Sequence, residues 1–426
     1  MEKQFKLTVL EKSWILYDVG NSAFILLVTT LVPIFFNALA KNAGLNEDLY
    51  LSYWGYAGSI ATILVAILGP ICGTLADRKM KKPFFTVAML VGAAGCAVLG
   101  FAPGWLSFLC LFILARVGYS SSLVFYDSML PEVTSEKRMD KVSSMGFAFG
   151  YIGSVIPFIL CLILVLMPGT FGLTTGKAMV IAFLITAVWW VGCTVPLLRC
   201  YRQTAFVAAE KSPLLDSFRQ LGRTIRDAKK EKHISLYLLA IFFLLDGVYT
   251  IIDMATAYGT ALGLDTTGLL LALLVTQIVA FPCSIAFGRL STKYDTGLLI
   301  KVCICAYTFV VLFSVFMVSQ WQFWLMAVMV GMFQGGIQAL SRSYLGKIIP
   351  PERSGEFFGL MDIFGKGASF VGMTLVSVVS QLTAGVRLNI FGLTLRNENI
   401  AVSSLIILFA IGYVLFCKAD ALNKSR

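Results

Sequence analysis

Apolar residues come in twelve long runs along the chain, each parted from the next by a polar break. The runs cover approximately Trp14–Leu39, Tyr50–Leu75, Phe84–Phe101, Trp105–Leu130, Val142–Met167 and Ala178–Leu198, then Ser235–Ala261, Thr267–Leu290, Leu298–Val318, Trp321–Leu345, Gly355–Gln381 and Ile400–Phe416. A helix needs about 20 mostly apolar residues to cross ~30 Å of hydrocarbon. The strict alternation of a membrane barrel, in strands of about 10 residues, is absent. The pattern predicts an all-α membrane protein of twelve transmembrane helices.

Composition agrees. The 426 residues are 58% hydrophobic and 13% charged, with a mean hydropathy of +0.84; a soluble domain carries about a quarter charged residues. The net charge of +11 raises the question of nucleic acid, and the placement of the charges answers it. With the N-terminus inside, the outer loops hold only Lys41, Lys177, Arg387 and Arg396, and the spans hold Arg116, Arg342 and Lys366, besides Arg289 and Lys301 at their cytoplasmic ends. Every other Lys and Arg falls on one side. That bias puts both termini in the cytoplasm and accounts for the charge without a nucleic-acid partner. The expected setting is a bacterial inner (plasma) membrane, with the chain acting as a monomer in the lipid bilayer. No cleavable leader is expected, since the first apolar run is too long and lacks a small-residue cleavage site.

The longest polar segment, Arg199 to Ile234, separates six spans from six. Within it Leu214, Leu215, Phe218, Leu221 and Ile225 follow Ser212-Pro213 at helical spacing, which predicts an amphipathic helix along the inner membrane surface. The expected layout is a six-helix bundle over 1–198, a cytoplasmic linker over 199–234 and a second bundle over 235–426. The bundles look duplicated: Gly73-Thr74-Leu75 recurs 215 residues on as Gly288-Arg289-Leu290, and Phe149-Gly150-Tyr151-Ile152-Gly153-Ser154 as Phe364-Gly365-Lys366-Gly367-Ala368-Ser369. Two parallel six-span repeats are a transporter layout.

Gly73-Thr74-Leu75-Ala76-Asp77-Arg78-Lys79-Met80-Lys81-Lys82 resembles the loop motif of the major facilitator superfamily. Further blocks resemble the autophagy-associated vacuolar amino-acid effluxers and their bacterial relatives: Tyr17-Asp18 with Asn21-Ser22-Ala23-Phe24, Arg116-Val117-Gly118-Tyr119, Phe125-Tyr126 with Leu130-Pro131-Glu132, Asp246-Gly247-Val248, Gln277 to Pro282, Gln334 to Ser343, and Glu356-Phe357-Phe358-Gly359. The resemblance covers nearly the whole chain. It implies the major facilitator fold, amino-acid substrates, and a gating role for Asp77 and Arg78 at the cytoplasmic side, with the neighbouring Lys79, Lys81 and Lys82 also setting orientation. Asp127 stands where that family pattern expects Asn, and Leu245 likewise before Asp246, so the substrate is open to difference.

Ionisable residues inside spans are default functional candidates. Arg116, mid-way along span four, suits a substrate carboxylate, because its planar fork binds two oxygens at once; the alternative is an internal pair with Asp127. Asp246, Tyr249 and Asp253 share one face of span seven. Asp246, and after it Asp253, is a candidate carrier of the coupling ion, a proton or sodium, since desolvation penalises a charged carboxylate. Asp18 and Asp127 are gate or coupling acids, with capping as the rival role. Asp362 and Lys366 sit one turn apart on span eleven, paired for structure or turned to a cavity. Tyr126, Tyr249, Gln277, Gln334 and Gln338 complete the substrate candidates, although amides also glue helices together. Arg342 is placed with the gate.

Other chemistry finds no footing. The ten Cys make no C-x-x-C, and His233 is the only histidine, so neither a metal nor a disulfide framework is expected. No phosphate loop, H-E-x-x-H or G-x-S-x-G occurs. The expectation is a secondary active transporter of a small polar solute, an amino acid, working by alternating access with proton coupling and no cofactor, and not an enzyme. The rivals are a carrier of sugars, nucleosides or lysolipids, and a transporter-like sensor or scaffold.

Overall fold

The computed structural model describes the chain apart from residues 1–4, 46–49, 208–230, 262, 384–387, 391–392, 396 and 426; side chains are also left undescribed at 50–52, 70, 256–257, 260–261, 266–267, 270, 363–370, 388–390, 393–395 and 397–398. The amphipathic helix expected within 212–225 and the side chain of Lys366 lie outside the described residues.

The apolar runs become helices α1 (Val9–Asn42), α2 (Tyr50–Ala76), α3 (Lys81–Val98), α4 (Trp105–Ser128), α5 (Glu136–Leu166), α6 (Thr175–Cys200), α7 (Lys232–Ala261), α8 (Thr266–Leu290), α9 (Thr296–Val315), α10 (Gln320–Ile348), α11 (Ser354–Leu382) and α12 (Leu405–Lys424). Among the described residues eleven helices are long and apolar enough to cross a membrane, and the apolar stretch Val371–Leu382 of α11 adds to them. Several helices outrun the apolar pattern because their ends are capped. The Thr8 side chain accepts from the Glu11 amide while Glu11 caps back, which starts α1 before its first apolar run. Ile349-Pro350-Pro351 stops α10, because proline removes a donor and bars the preceding residue from helical geometry. One departure from the all-helical expectation is a short antiparallel hairpin, Leu388–Ile390 with Leu393–Leu395, where apolar and polar residues alternate with the period of a strand.

The chain divides into two compact units, and the division cuts through two helices. Unit 1 holds 1–135, 149–218 and 351–359; unit 2 holds 136–148, 219–350 and 360–426. The first thirteen residues of α5 thus belong to unit 2, and the first six of α11 to unit 1. In unit 1, α3 packs on α4 through small residues: Gly92 and Gly95 face Gly118 and Ala115, and a Cβ on Gly95 would sit 2.9 Å from Ala115. Lipid supplies little hydrophobic drive between helices, so close backbone approach of this kind carries the packing. In unit 2, α8 packs on α10 in the same way, Gly331 lying against Thr276.

Candidate functional site

Two polar clasps are built at helix ends, one in each unit. In unit 1 the turn after α2 carries Asp77. Its carboxylate accepts the first backbone N–H groups of α11, from Gly355 at 2.8 Å and Glu356 at 2.9 Å, where a helix start favours negative charge. The approach depends on two glycines, because a Cβ at Gly355 would come within 2.6 Å of the Gly73 carbonyl. Lys81 lies one turn on, fully buried. Its ammonium is 3.5 Å from Asp77 and donates to Glu132 at 2.7 Å and to Ser354 at 2.7 Å.

Arg78, expected at the gate beside Asp77, stands outside this contact. Its side chain makes no hydrogen bond or ion pair among the described residues, and one terminal nitrogen is enclosed without an acceptor. Lys81, read in the sequence as part of the orienting basic group, stands beside Asp77 instead. The cause is the backbone at Lys79, which has φ 71° and reverses the chain so that α3 begins facing back to Asp77.

Unit 2 holds the counterpart. Asp140, in the foot of α5, accepts from Thr296, Ser343 and Lys347, each at 2.6 Å, and Lys347 also donates to Thr296 at 2.8 Å. Arg342 binds the Ser143 hydroxyl and carbonyl at 2.9 and 3.0 Å and lies 4.3 Å from the Phe147 ring. Lys81 and Glu132 were quoted from sequence only within longer motifs, and Asp140, Thr296 and Lys347 were not picked out. The 215-residue repeat contained the signal: it sets Thr296 opposite Lys81 and Lys347 opposite Glu132. At the second pair the polarity is reversed, the acid Glu132 standing opposite the base Lys347. Elsewhere in unit 2, buried Asp420 ties α12 to α9 through Lys301 at 2.6 Å.

Asp77 lies outside the spans. Burial pushes its carboxyl up to about 7, against the pull of Lys81 and the two backbone N–H groups; Glu356 nearby adds to the rise. An aspartate in water titrates near ~3.9. The clasped form therefore holds a proton more tightly than a released one. Raising the pH from about 4 to 7 deprotonates the released form first, so the clasp weakens across that window and levels off above it. Amide exchange at Gly355 and Glu356, corrected for its intrinsic pH dependence, is expected to quicken from pH 4 to 7, and Asp77→Asn to flatten the trend. A slope of opposite sign would contradict this.

Deeper in the spans, Arg116 on α4 is half-buried. Its guanidinium is 5.9 Å from the Tyr119 ring, and one terminal nitrogen is enclosed without an acceptor. Among the described residues no carboxylate pairs with it, Asp127 included. Asp18 is buried and accepts from Asn21 at 3.3 Å. Tyr126 is fully buried, its ring stacked on Trp14 at 4.4 Å and against Tyr17 at 4.5 Å. The aromatic residues of α1 close over it.

In unit 2, Asp246 on α7 is 0% exposed. One carboxyl oxygen accepts from the Gly372 amide at 2.9 Å and Thr250 at 3.3 Å; the other is enclosed with no donor. Tyr249 is half-buried, and Asp253, two turns along, is exposed. The polar stripe thus runs from a closed end to an open one. Gln334 is buried and Gln338 half-buried on α10, while the Gln277 amide oxygen on α8 is enclosed without a donor. Asp362 is half-buried on α11. Arg116 and Asp246 fall in different units.

The pattern of the vacuole effluxer Atg22-like family matches residues 10–420. The chain belongs to that family. It is 41% identical over 421 residues to the MFS-type transporter YxiO of Bacillus subtilis (strain 168), across 97% of this chain and 95% of that one. It is 26% identical over 283 residues to autophagy-related protein 22 of Coccidioides immitis (strain RS), across 60% of this chain and 46% of the fungal one. The fold is that of the major facilitator transporter FucP, solved in the outward conformation, with a TM-score of 0.70 at 14% identity over 96% of this chain and 97% of FucP. This effluxer-family member is therefore a multi-pass membrane transporter of the major facilitator type, with the twelve-helix fold, and not an enzyme.

Proposed function

We propose that the protein is a secondary active transporter of amino acids, driven by protons through alternating access. The observation that carries this reading is Arg116, a cation inside a span with no carboxylate partner among the described residues and an enclosed nitrogen lacking an acceptor. A permanent charge held there unpaired is costly, and a substrate carboxylate would complete it with two charge-assisted hydrogen bonds. The resemblance to vacuolar amino-acid effluxers supports the same class. Asp246, buried and without a cation among the described residues, carries the proton; an unpaired buried carboxylate is costly when charged and tolerable when neutral. The amides of Gln277, Gln334 and Gln338 supply donors and acceptors for the rest of the solute. In this reading the halves 1–198 and 235–426, joined by the linker 199–234, exchange their openings in the bacterial inner membrane with both termini inside. Opening to the cytoplasm requires Asp77 to release the start of α11 and Lys347 to release Asp140.

The test is a thermal-shift screen of the purified protein against amino acids, sugars and nucleosides at two pH values. At a hundred times its dissociation constant a ligand stabilises by about 2.7 kcal/mol. Amino acids are expected to raise the melting temperature; a rise with sugars or nucleosides and none with amino acids overturns the substrate assignment.

A further inference from the structure

The clasp of unit 1 has a third member beyond the loop and the start of α11. After α6 the chain leaves Tyr201 in extended form and runs along the clasp as far as Val207. Its grip is concentrated on Glu132. One oxygen of that carboxylate takes the Lys81 ammonium at 2.7 Å and the Tyr201 hydroxyl at 3.0 Å. The other takes the Thr204 amide at 2.6 Å, the Ala205 amide at 3.0 Å and the Thr204 hydroxyl at 3.2 Å. The same strap straddles the turn that carries Asp77. Gln203 donates to the Ala76 carbonyl at 3.1 Å and accepts the Lys81 amide at 3.0 Å, while the Val207 amide donates to the Asp77 carbonyl at 2.9 Å.

The charges explain why this matters. Asp77 and Glu132 are two buried carboxylates sharing one ammonium, that of Lys81. Were Glu132 served by Lys81 alone, it would draw the ammonium to itself and away from Ser354 and Asp77. Four donors from the strap satisfy Glu132 independently, which leaves Lys81 free to reach Ser354 at the start of α11. Two of the four are backbone amides, which only the path of the strap can place.

We propose that residues 201–207 are a working part of the cytoplasmic gate: they brace Glu132, and through it fix Lys81 in the position that receives Ser354 and holds the start of α11. Glu132 is then a positioning residue, and the opening segment of the linker is a component of the gate rather than a tether. The inference rests on the clasp having the gating role proposed above. Its test is read without substrate, so its failure leaves the assignments of Arg116 and Asp246 untouched.

The experiment is amide exchange on the full chain in micelles. Tyr201→Phe/Thr204→Val is nearly isosteric and removes two of the donors to Glu132. Because hydrogen bonds to charged groups are among the stronger ones, exchange at Gly355 and Glu356 is expected to speed about tenfold. Exchange in α9, in the other unit, stays as in the unaltered protein, and so does the whole pattern in Arg202→Ala, an exposed strap residue outside the network. Unchanged exchange at 355 and 356 in a double variant that still melts cooperatively overturns the proposal. Should the double variant fail to fold, Thr204→Val alone is expected to give about a threefold rise, and no rise there overturns it equally.

Discussion

Lys81→Met is expected to destabilise the protein by about 3–5 kcal/mol, because it strips from two buried carboxylates the one cation they have among the described residues. Lys81 is fully buried, 3.5 Å from Asp77 and 2.7 Å from Glu132. Methionine fills a similar volume but offers neither carboxylate a proton. The melting temperature in detergent should fall on the order of 10 °C. Adding Glu132→Gln should recover part of the loss, since one of the stranded charges is then gone and the strap can still donate to the amide oxygen. Arg78→Ala, three residues away, should change the melting temperature little. A Lys81→Met protein that melts like its parent would show that the clasp does not bear on stability.

The second large effect is at Arg116, and it has the opposite signature. Arg116→Ala is expected to weaken substrate binding at least about 100-fold, the worth of two charge-assisted hydrogen bonds, without lowering the melting temperature. Arg116 has no carboxylate partner among the described residues to strand, so its removal relieves an unpaired charge. Arg116→Lys should recover only a small part, because an ammonium cannot bind two carboxylate oxygens as a planar fork does. Binding measured by calorimetry or by thermal shift checks both. If Arg116→Ala lowered the melting temperature while leaving affinity intact, the residue would be structural.

The contrast between these sites shows how much the sequence could say. The helices were legible because a bilayer of fixed thickness dictates run length, and the capped extensions beyond the runs cost little in polar surroundings. Charges alone in apolar runs, such as Arg116 and Asp246, were legible for the same reason: nothing local accounts for them. The clasps were not. Which cation reaches Asp77 depends on Lys79 at φ 71°, a left-handed turn at a residue type that seldom adopts it, at about 1–2 kcal/mol. Nothing in the letters Arg78-Lys79-Met80-Lys81 announces that turn. The burial of Tyr126 was not legible either, because the rings of Trp14 and Tyr17 that cover it come from α1, more than a hundred residues away. Asp140 and Lys347 are more than two hundred residues apart, and only the internal repeat connects their neighbourhoods. The strap was hidden by its chemistry: two of its contacts with Glu132 are backbone amides, which carry no sequence signature.

The central claim is that a proton on Asp246 drives amino-acid movement past Arg116. Its most direct test is uptake by the full chain reconstituted in proteoliposomes, with labelled amino acids and an imposed pH gradient. The account predicts accumulation above equilibrium only while the gradient lasts, and an Asp246→Asn protein that still exchanges labelled for unlabelled amino acid but never accumulates it. Gradient-driven accumulation by Asp246→Asn equal to that of the unaltered protein would contradict it.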